Sequence, residues 1–576
     1  MKMLNGKKEH ISLLYPIDYA GEVKKLSDEA IHDIGLDTVC KSITQKESES
    51  GYIMRIMAEL NDDPKVASYR IAIFEDIIKY PQMREHMMTI LDRINFLRDY
   101  GTFKREYEEK AGAWDLLHRL EELNDYITCI EALNECLSDV DITSDGLIGL
   151  RDYVQNLYTD RAFKELKEDI SRLKASTSDL KSVTVGINLN DRFEASSLGL
   201  ISINSKPFTK SNIIGEFCDM IASKNDIKKD TEWDDNYKYH PVTEGDLKAL
   251  SALERVAKVT AARSNPLLAG SLAISLSAIP EGDAAEDVTR YLDRIANHML
   301  DSLIKKLRST LTQYVSVTIT DITKLIPEFM YYIRWAEFIE KMTDQGYRFS
   351  PASVIEKTSS IDVHAKGIYN LKLACSDVAA DAIVPNDLDF AEDKCVYILT
   401  GANRGGKTTF TQAVGLLFVL AQGGIRIPGD SFEFSPVDCI YTHFPADEDK
   451  TMDLGRLGEE CTRFLKLYKA CTESSLLLLN ETFSTTSFEE GYYIAKDSVR
   501  AILDKGIRTI YNTHMHKLAS DTNELSASSS YKAESLIVET CDHERSFRVK
   551  IAPPEGMSYA RDIAAKYGVT YEMLTE

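Results

Sequence analysis

The sequence predicts a multidomain chain in which a mostly α-helical N-terminal core and lever region, interrupted by a small β-hairpin, precedes an α/β domain. Three observations carry that expectation. Apolar residues recur at helical spacing through most of residues 1–365. One stretch within that region alternates at period two. From about residue 366, short apolar runs alternate with helical patterns and glycine turns. The 576 residues suggest several domains, at roughly 100–200 residues each, and the changes of pattern suggest segments 1–110, 111–365 and 366–576.

In the helical region, Leu147, Leu150, Val154 and Leu157 share one face, and Phe163, Leu166, Ile170 and Leu173 repeat the spacing. Residues three and four apart stack on one side of an α-helix, so 147–173 predicts one apolar face with charges opposite. Val288, Leu292, Ile295, Met299, Leu303 and Leu307 predict a second helix, long enough to be an arm. Between them, Val183, Val185, Ile187 and Leu189 alternate, Asn190-Asp191-Arg192 can turn, and Leu200, Ile201 and Ile203 resume. That is a hairpin pattern over 182–204. Residues 223–246 are polar and read as a loop or mobile tip.

In the α/β region, residues 395–401, 475–481 and 508–514 read as strands, and 408–424 and 489–506 as helices. Strands joined by helical crossovers mean a parallel sheet. Residues 535–540 and 546–551 predict an antiparallel pair at its edge.

"GANRGGKT" (401–408) lies between a predicted strand and a predicted helix. It fits the phosphate-loop pattern in the context that pattern requires. Gly401, Gly405 and Gly406 let backbone N–H groups wrap phosphate oxygens, and the helix start adds its positive dipole end. Lys407 is expected to reach the β- and γ-phosphates of ATP, and Thr408 to hold Mg²⁺, with Thr409 next in line. "LLLLNE" (476–481) predicts a buried strand ending in Asn480 and Glu481. A carboxylate at the C-terminal end of a parallel strand faces the phosphate side, where Glu481 could orient water for attack on the γ-phosphate. His514 ends the next strand and could sense that phosphate.

Composition narrows the partners. The net charge of −23 and pI of about 5.1 argue against a surface coated in base for indiscriminate nucleic-acid binding, though not against a local basic groove. Ten cysteines are scattered without a C-x-x-C pair, which disfavours a zinc site or disulfide framework and suits a reducing cytosol. The N-terminal residues show no long apolar core of a signal peptide. The weakly polar run 266–280 is too short and too rich in serine to span a membrane. A cytoplasmic location is expected.

Together "TGANRGGKTT", "LLLLNETFSTTSFEEG", "IYNTHMHKLA" and "GMSYARDIAAKYGV" resemble, in this order, the ATPase domain of the MutS family of DNA mismatch-repair proteins. The resemblance covers about 380–570, and "LIPEFMYYIRWAEFIEKMTDQGYRFSP" resembles the helical core that precedes that domain. The hairpin and the asparagine at 480 are similar to a short bacterial branch of the family without the mismatch-reading domain. The resemblance implies a P-loop domain of the ABC type whose two nucleotide sites form at a homodimer interface, with helical arms that close on DNA under ATP control. It places Asn403 in the phosphate loop, Glu481 as the residue that polarises water, His514 as a switch and Ser487 in the loop after the strand. The adenine-stacking aromatic of the family falls at Ile383, and His543 is a candidate substitute.

Three departures shape the expected chemistry. Asn480 stands where the family usually has Asp. Its amide oxygen can still accept from a magnesium-bound water, but one negative charge is lost, and Arg404 adds a positive one. Both changes favour polyphosphate and weaken the hold on Mg²⁺, so a slow ATPase is expected. "GRLGEECTRF" (455–464) replaces the signature segment, and its serine maps to Gly455 or Leu457. No mismatch-reading wedge is found: Phe163-Lys164-Glu165 and Phe338-Ile339-Glu340 match its tripeptide but sit in helical patterns. The expected partner is therefore duplex or branched DNA without mismatch selectivity. Lys224, Lys228 and Lys229 in the arm tip are the candidate contacts. Rival readings are an ATP-gated scaffold that clamps a protein, and a long coiled-coil ATPase, for which no heptad run of the needed length exists.

Overall fold

The computed structural model describes residues 11–88, 90, 113–138, 140–177, 182–189, 191, 195–204, 276–277, 301–311, 325–355, 362–376, 378–390, 393–401, 405–445, 456–541, 544–554, 567–569 and 571–575. By internal contacts the chain divides into two units, each drawn from separate stretches: Met1–Lys8, Thr89–Ser138 and Arg151–Thr323 in one, and Glu9–Met88, Asp139–Leu150 and Lys324–Glu576 in the other.

The first unit is built on helices Ala113–Ser138, Arg161–Thr177 and Asp301–Leu311. Phe163, Leu166, Ile170 and Leu173 are buried, as the spacing predicts. Phe163 meets Tyr126 edge-on with ring centroids 6.3 Å apart, so its match to a wedge tripeptide is a core contact. The face read as one stretch over 147–173 belongs to two helices, Asp145–Thr159 and Arg161–Thr177. Asp160 breaks them, its carboxylate accepting from Ala162 N at 2.8 Å; a short acid that caps an N-terminus competes with continuing the helix. The hairpin forms as Ser182–Leu189 against Ala195–Asn204, with the short strand Leu276–Ser277 added to the second arm. Residues 288–300, and the tip with Lys224, Lys228 and Lys229, lie outside the described residues.

The second unit is organised by a six-stranded sheet: β1 (Lys394–Thr400), β2 (Ile440–His443), β3 (Leu476–Asn480), β4 (Arg508–Asn512), β5 (Lys532–Cys541) and β6 (Glu544–Ile551). The spatial order is β2-β3-β4-β1-β5-β6. The first five are parallel, and β6 closes the edge antiparallel to β5, as expected. Leu476 to Leu479 on β3 are 0% exposed, which explains why the strand reads as an unbroken leucine run. β2 escaped the sequence reading because "IYTH" is only four residues long and half polar.

The long helices packed on this sheet include α1 (Lys407–Gln422), α2 (Arg456–Ala470) and α3 (Phe488–Lys505). α1 is apolar around its circumference and buried accordingly. Phe418 meets Phe432 and Phe434 edge-on. Those rings belong to a second sheet, Ala352–Val354, Ser431–Phe434, Val363–Ile368 and Asn386–Phe390, which the sequence reading did not separate from its surroundings. The last helix before the α/β part therefore ends at Asp344. Helices Asp28–Ile34 and Pro64–Lys79 also lie on α1. Gln422, the last residue of α1, donates to Asn61 O and Val437 O at 2.8 and 2.9 Å. Arg70 donates to Gln422 O at 3.2 Å. The N-terminal helices are thus part of the nucleotide-loop unit.

Candidate nucleotide site

The site is assembled at the C-terminal ends of β1, β3 and β4. Gly401, just after β1, has φ 142°, a backbone that side chains rarely adopt. A Cβ there would also crowd Val538, standing 3.1 Å from its Cβ. Gly406, at φ 92°, precedes α1 and gives the helix no side-chain cap. The first N–H groups of α1 are therefore open to an anion. Lys407 lies at the start of α1, 6% exposed, and its Nζ donates to Gly401 O at 3.0 Å. Burial lowers its pKa, and the Glu481 charge pulls it back up.

Thr408 Oγ1 donates to Asn480 Oδ1 at 3.1 Å. The parallel register sets Asn480 beside Asn512, whose Nδ2 donates to Asn480 Oδ1 and, at 3.3 Å, to Thr408 Oγ1. Glu481 follows with φ 53° and is held there by its N–H donating to Asn512 O at 2.8 Å. A left-handed residue at this point turns the chain sharply off β3; such strain clusters at functional sites. The Glu481 carboxylate lies 2.9 Å from His514 Nε2. His516 sits beside them, its pKa lowered by burial and then by His514 and Lys407.

Several of these groups line a cavity of about 540 Å³, whose walls include Gly405, Gly406, Lys407, Thr408, Thr409, Glu481 and His514, a size usual for a small-molecule site. Ile383 lines it as well, and so does Phe547, which sequence reasoning missed. Phe547 is 44% exposed, has φ 56°, and passes 3.2 Å from where a Cβ on Gly406 would be. A bulge between Val538 and Thr540 shifts the β5–β6 register nearby, and nothing in "RSFRV" announces it. His543, Asn403, Arg404 and Gly455 lie outside the described residues.

The loop after Glu481 is tied to α2. His443 at the end of β2 has Nδ1 3.0 Å from Thr482 Oγ1 and Nε2 3.3 Å from Glu460 O. Thr485 Oγ1 donates to Glu460 Oε2 at 2.8 Å, and Tyr511 Oη to Thr482 O at 2.8 Å. Burial, then the Arg463 charge, lowers the His443 pKa to about 3. Ser487 caps α3 by accepting from Glu490 N. Leu457 on α2 packs against the apolar cluster around Phe464.

Among the described residues no group of three or more His, Cys, Asp or Glu side chains could hold a metal. The oxygens that converge, from Thr408 and Asn480, are uncharged and adjacent. They fit a magnesium ion that keeps most of its water and arrives on a polyphosphate, the usual habit of that ion.

Two family models match in chain order: MutS2 N-terminal domain over residues 62–345 and MutS domain V over residues 397–575. The DNA mismatch repair protein MutS of Chlorobium chlorochromatii is 29% identical over 198 residues, 34% of this chain and 22% of that protein. DNA mismatch repair protein MutS 2 of Halobacterium salinarum is 34% identical over 143 residues, 25% of this chain and 17% of that protein. Endonuclease MutS2 of Caldicellulosiruptor bescii is 26% identical over 242 residues, 42% of this chain and 31% of that protein. Each alignment thus spans less than a third of the relative's own length. No helix among the described residues is long and apolar enough to cross a membrane.

Proposed function

Because the chain belongs to the MutS family, we propose that it is an ATP-dependent DNA-binding protein that binds and slowly hydrolyses ATP at a homodimer interface, and so controls a clamp on DNA. The observation that carries this reading is the convergence in one cavity of the α1 N-terminus, Lys407, Thr408 and the Glu481–His514 pair. Each supplies a different need of phosphoryl transfer.

The ammonium of Lys407 faces the β- and γ-phosphates. It gives up its contact with Gly401 O for charge-assisted bonds, which are stronger. Glu481 accepts a proton or a hydrogen bond from the attacking water, with its carboxylate held by His514 on one side and by its strained backbone on the other. Magnesium, when bound, neutralises phosphate charge, and Thr408 Oγ1 and Asn480 Oδ1 are the groups that would hold it, directly or through water. The amide at 480 supplies an oxygen but no charge, hence the slow rate. Phe547 and Ile383 offer the apolar surface on which adenine would stack.

The names of the relatives support a role on DNA, and the acidic net charge confines DNA contacts to local patches. Lys224, Lys228 and Lys229 remain the proposed contacts. Lys407→Ala is expected to abolish ATP binding, measured by calorimetry; unchanged affinity would sink the site assignment. Glu481→Gln is expected to keep binding and lose hydrolysis.

A further inference from the structure

Asn512 is a buried amide that the chemistry above does not use. It ends β4 directly opposite Asn480 and is 1% exposed. Its Nδ2 donates both to Asn480 Oδ1 and to Thr408 Oγ1, and Thr408 Oγ1 donates to the same Asn480 oxygen. Its own Oδ1 is buried without a partner. A buried polar atom left unpaired in a tight cluster calls for a reason.

The reason lies in the difference between an amide and a carboxylate. A carboxylate presents an acceptor whichever way it turns, whereas an amide presents oxygen on one side and two N–H donors on the other. A half-turn of the Asn480 side chain would aim donors at the Thr408 hydroxyl and at any metal-bound water, which both need an acceptor there. With Asn512 in place, that half-turn would also bring NH₂ against NH₂. Asn512 cannot escape by turning itself. On its far side the oxygen meets no donor, and turning the amide over would give up both present donations, to Asn480 Oδ1 and Thr408 Oγ1.

We propose that Asn512 is a positioning residue that locks the Asn480 amide with its oxygen toward Thr408 and the phosphate side of the cavity. This lock lets an amide stand where a carboxylate, which needs none, would otherwise serve. The proposal rests on the nucleotide-site reading. It makes a demand that a merely structural role would not: the value of Asn512 depends on residue 480 being an amide.

The test is a double-mutant cycle read by binding rather than turnover. The affinity of the full chain for adenosine 5′-(β,γ-imido)triphosphate is measured by calorimetry across a magnesium titration, with melting temperatures taken without nucleotide as a check on folding. Asn512→Ala is expected to raise the magnesium midpoint about tenfold, the scale of one lost hydrogen bond. In an Asn480→Asp background the same change is expected to shift the midpoint by less than about twofold, the usual limit of additivity. Asn512→Ser, which keeps a donor and leaves a smaller cavity, is expected to fall between, and it carries the comparison if the alanine variant does not fold. Equal shifts in the two backgrounds, or none in either, overturn the lock while leaving the nucleotide site standing. Absence of magnesium-dependent binding in the unaltered chain overturns both.

Discussion

Phe547 shows how much a single backbone angle can decide. Its φ of 56° and the neighbouring bulge in β5–β6 turn an edge-strand side chain into the cavity. If adenine stacks there, Phe547→Ala should weaken ATP binding by about 1–3 kcal/mol, the usual worth of a base on an aromatic ring, while Phe547→Trp should largely restore it; calorimetric titration reads both. For His443 burial is decisive instead. It is 1% exposed, and burial lowers its folded pKa to about 3 from the ordinary 6.5. A depressed pKa means that the unfolded chain takes up a proton which the folded chain refuses. Its contribution is therefore intact above about pH 6.5 and is lost as pH falls toward 3, at about 1.4 kcal/mol per pH unit in between. Urea unfolding at pH 7, 6 and 5 should show a shallower loss for His443→Asn than for the unaltered chain.

At the scale of elements, α1 illustrates why the surroundings of a glycine outweigh its helix propensity. Gly415 sits mid-helix, where alanine is intrinsically better by about 1 kcal/mol. A Cβ at that point would stand 2.7 Å from Ile34 Cγ2 and 3.0 Å from Leu478 Cδ1, because α1 is wedged between β3 and helix Asp28–Ile34. Overpacking of this kind costs about 1–3 kcal/mol, so Gly415→Ala should lower stability on balance. Gly149, in helix Asp145–Thr159, has nothing within 4 Å of the same position. There the identical substitution should raise stability by about 1 kcal/mol. Denaturant midpoints of the two variants should move in opposite directions; movement in the same direction would contradict the packing account.

For the molecule as a whole, the interleaved stretches of the two contact units mean that the nucleotide cavity and the N-terminal helices share one core. A chain cut near residue 366 would expose α1, so an isolated C-terminal fragment is expected to be insoluble or molten, which ANS binding would report. The acidic charge also limits the DNA interaction. If four to six lysines engage phosphates at roughly 0.9 each, the log–log dependence of affinity on salt should have a slope of about 3–5 in magnitude. Reversing Lys224, Lys228 and Lys229 to Glu should weaken binding to homoduplex, mismatched duplex and four-way junction alike. Strong preference for the mismatch would overturn the clamp reading as stated, and ATP-insensitive failure to bind all three would favour a protein partner instead.

What the sequence determined by itself is whatever repeats locally. The phosphate loop between strand and helix, the leucine run of β3, the edge hairpin β5–β6 and the alternation of Ser182–Leu189 each carry their signal within a few residues, since backbone periodicity and glycine's freedom act at that range. The site candidates Lys407, Thr408, Glu481 and His514 could be named from sequence for the same reason: each follows a recognisable strand or opens a recognisable helix. Tertiary structure alone decided the rest. The four-stranded sheet pairs Ala352–Val354 with Ser431–Phe434, partners too short and too far apart in sequence to announce each other. Asn512 meets Asn480 only through the β3–β4 register, and Phe547 reaches Gly406 only through a bulge. Hydrogen-bond register and close packing join residues without regard to their separation along the chain, and no local pattern encodes which distant neighbour will fill a given space.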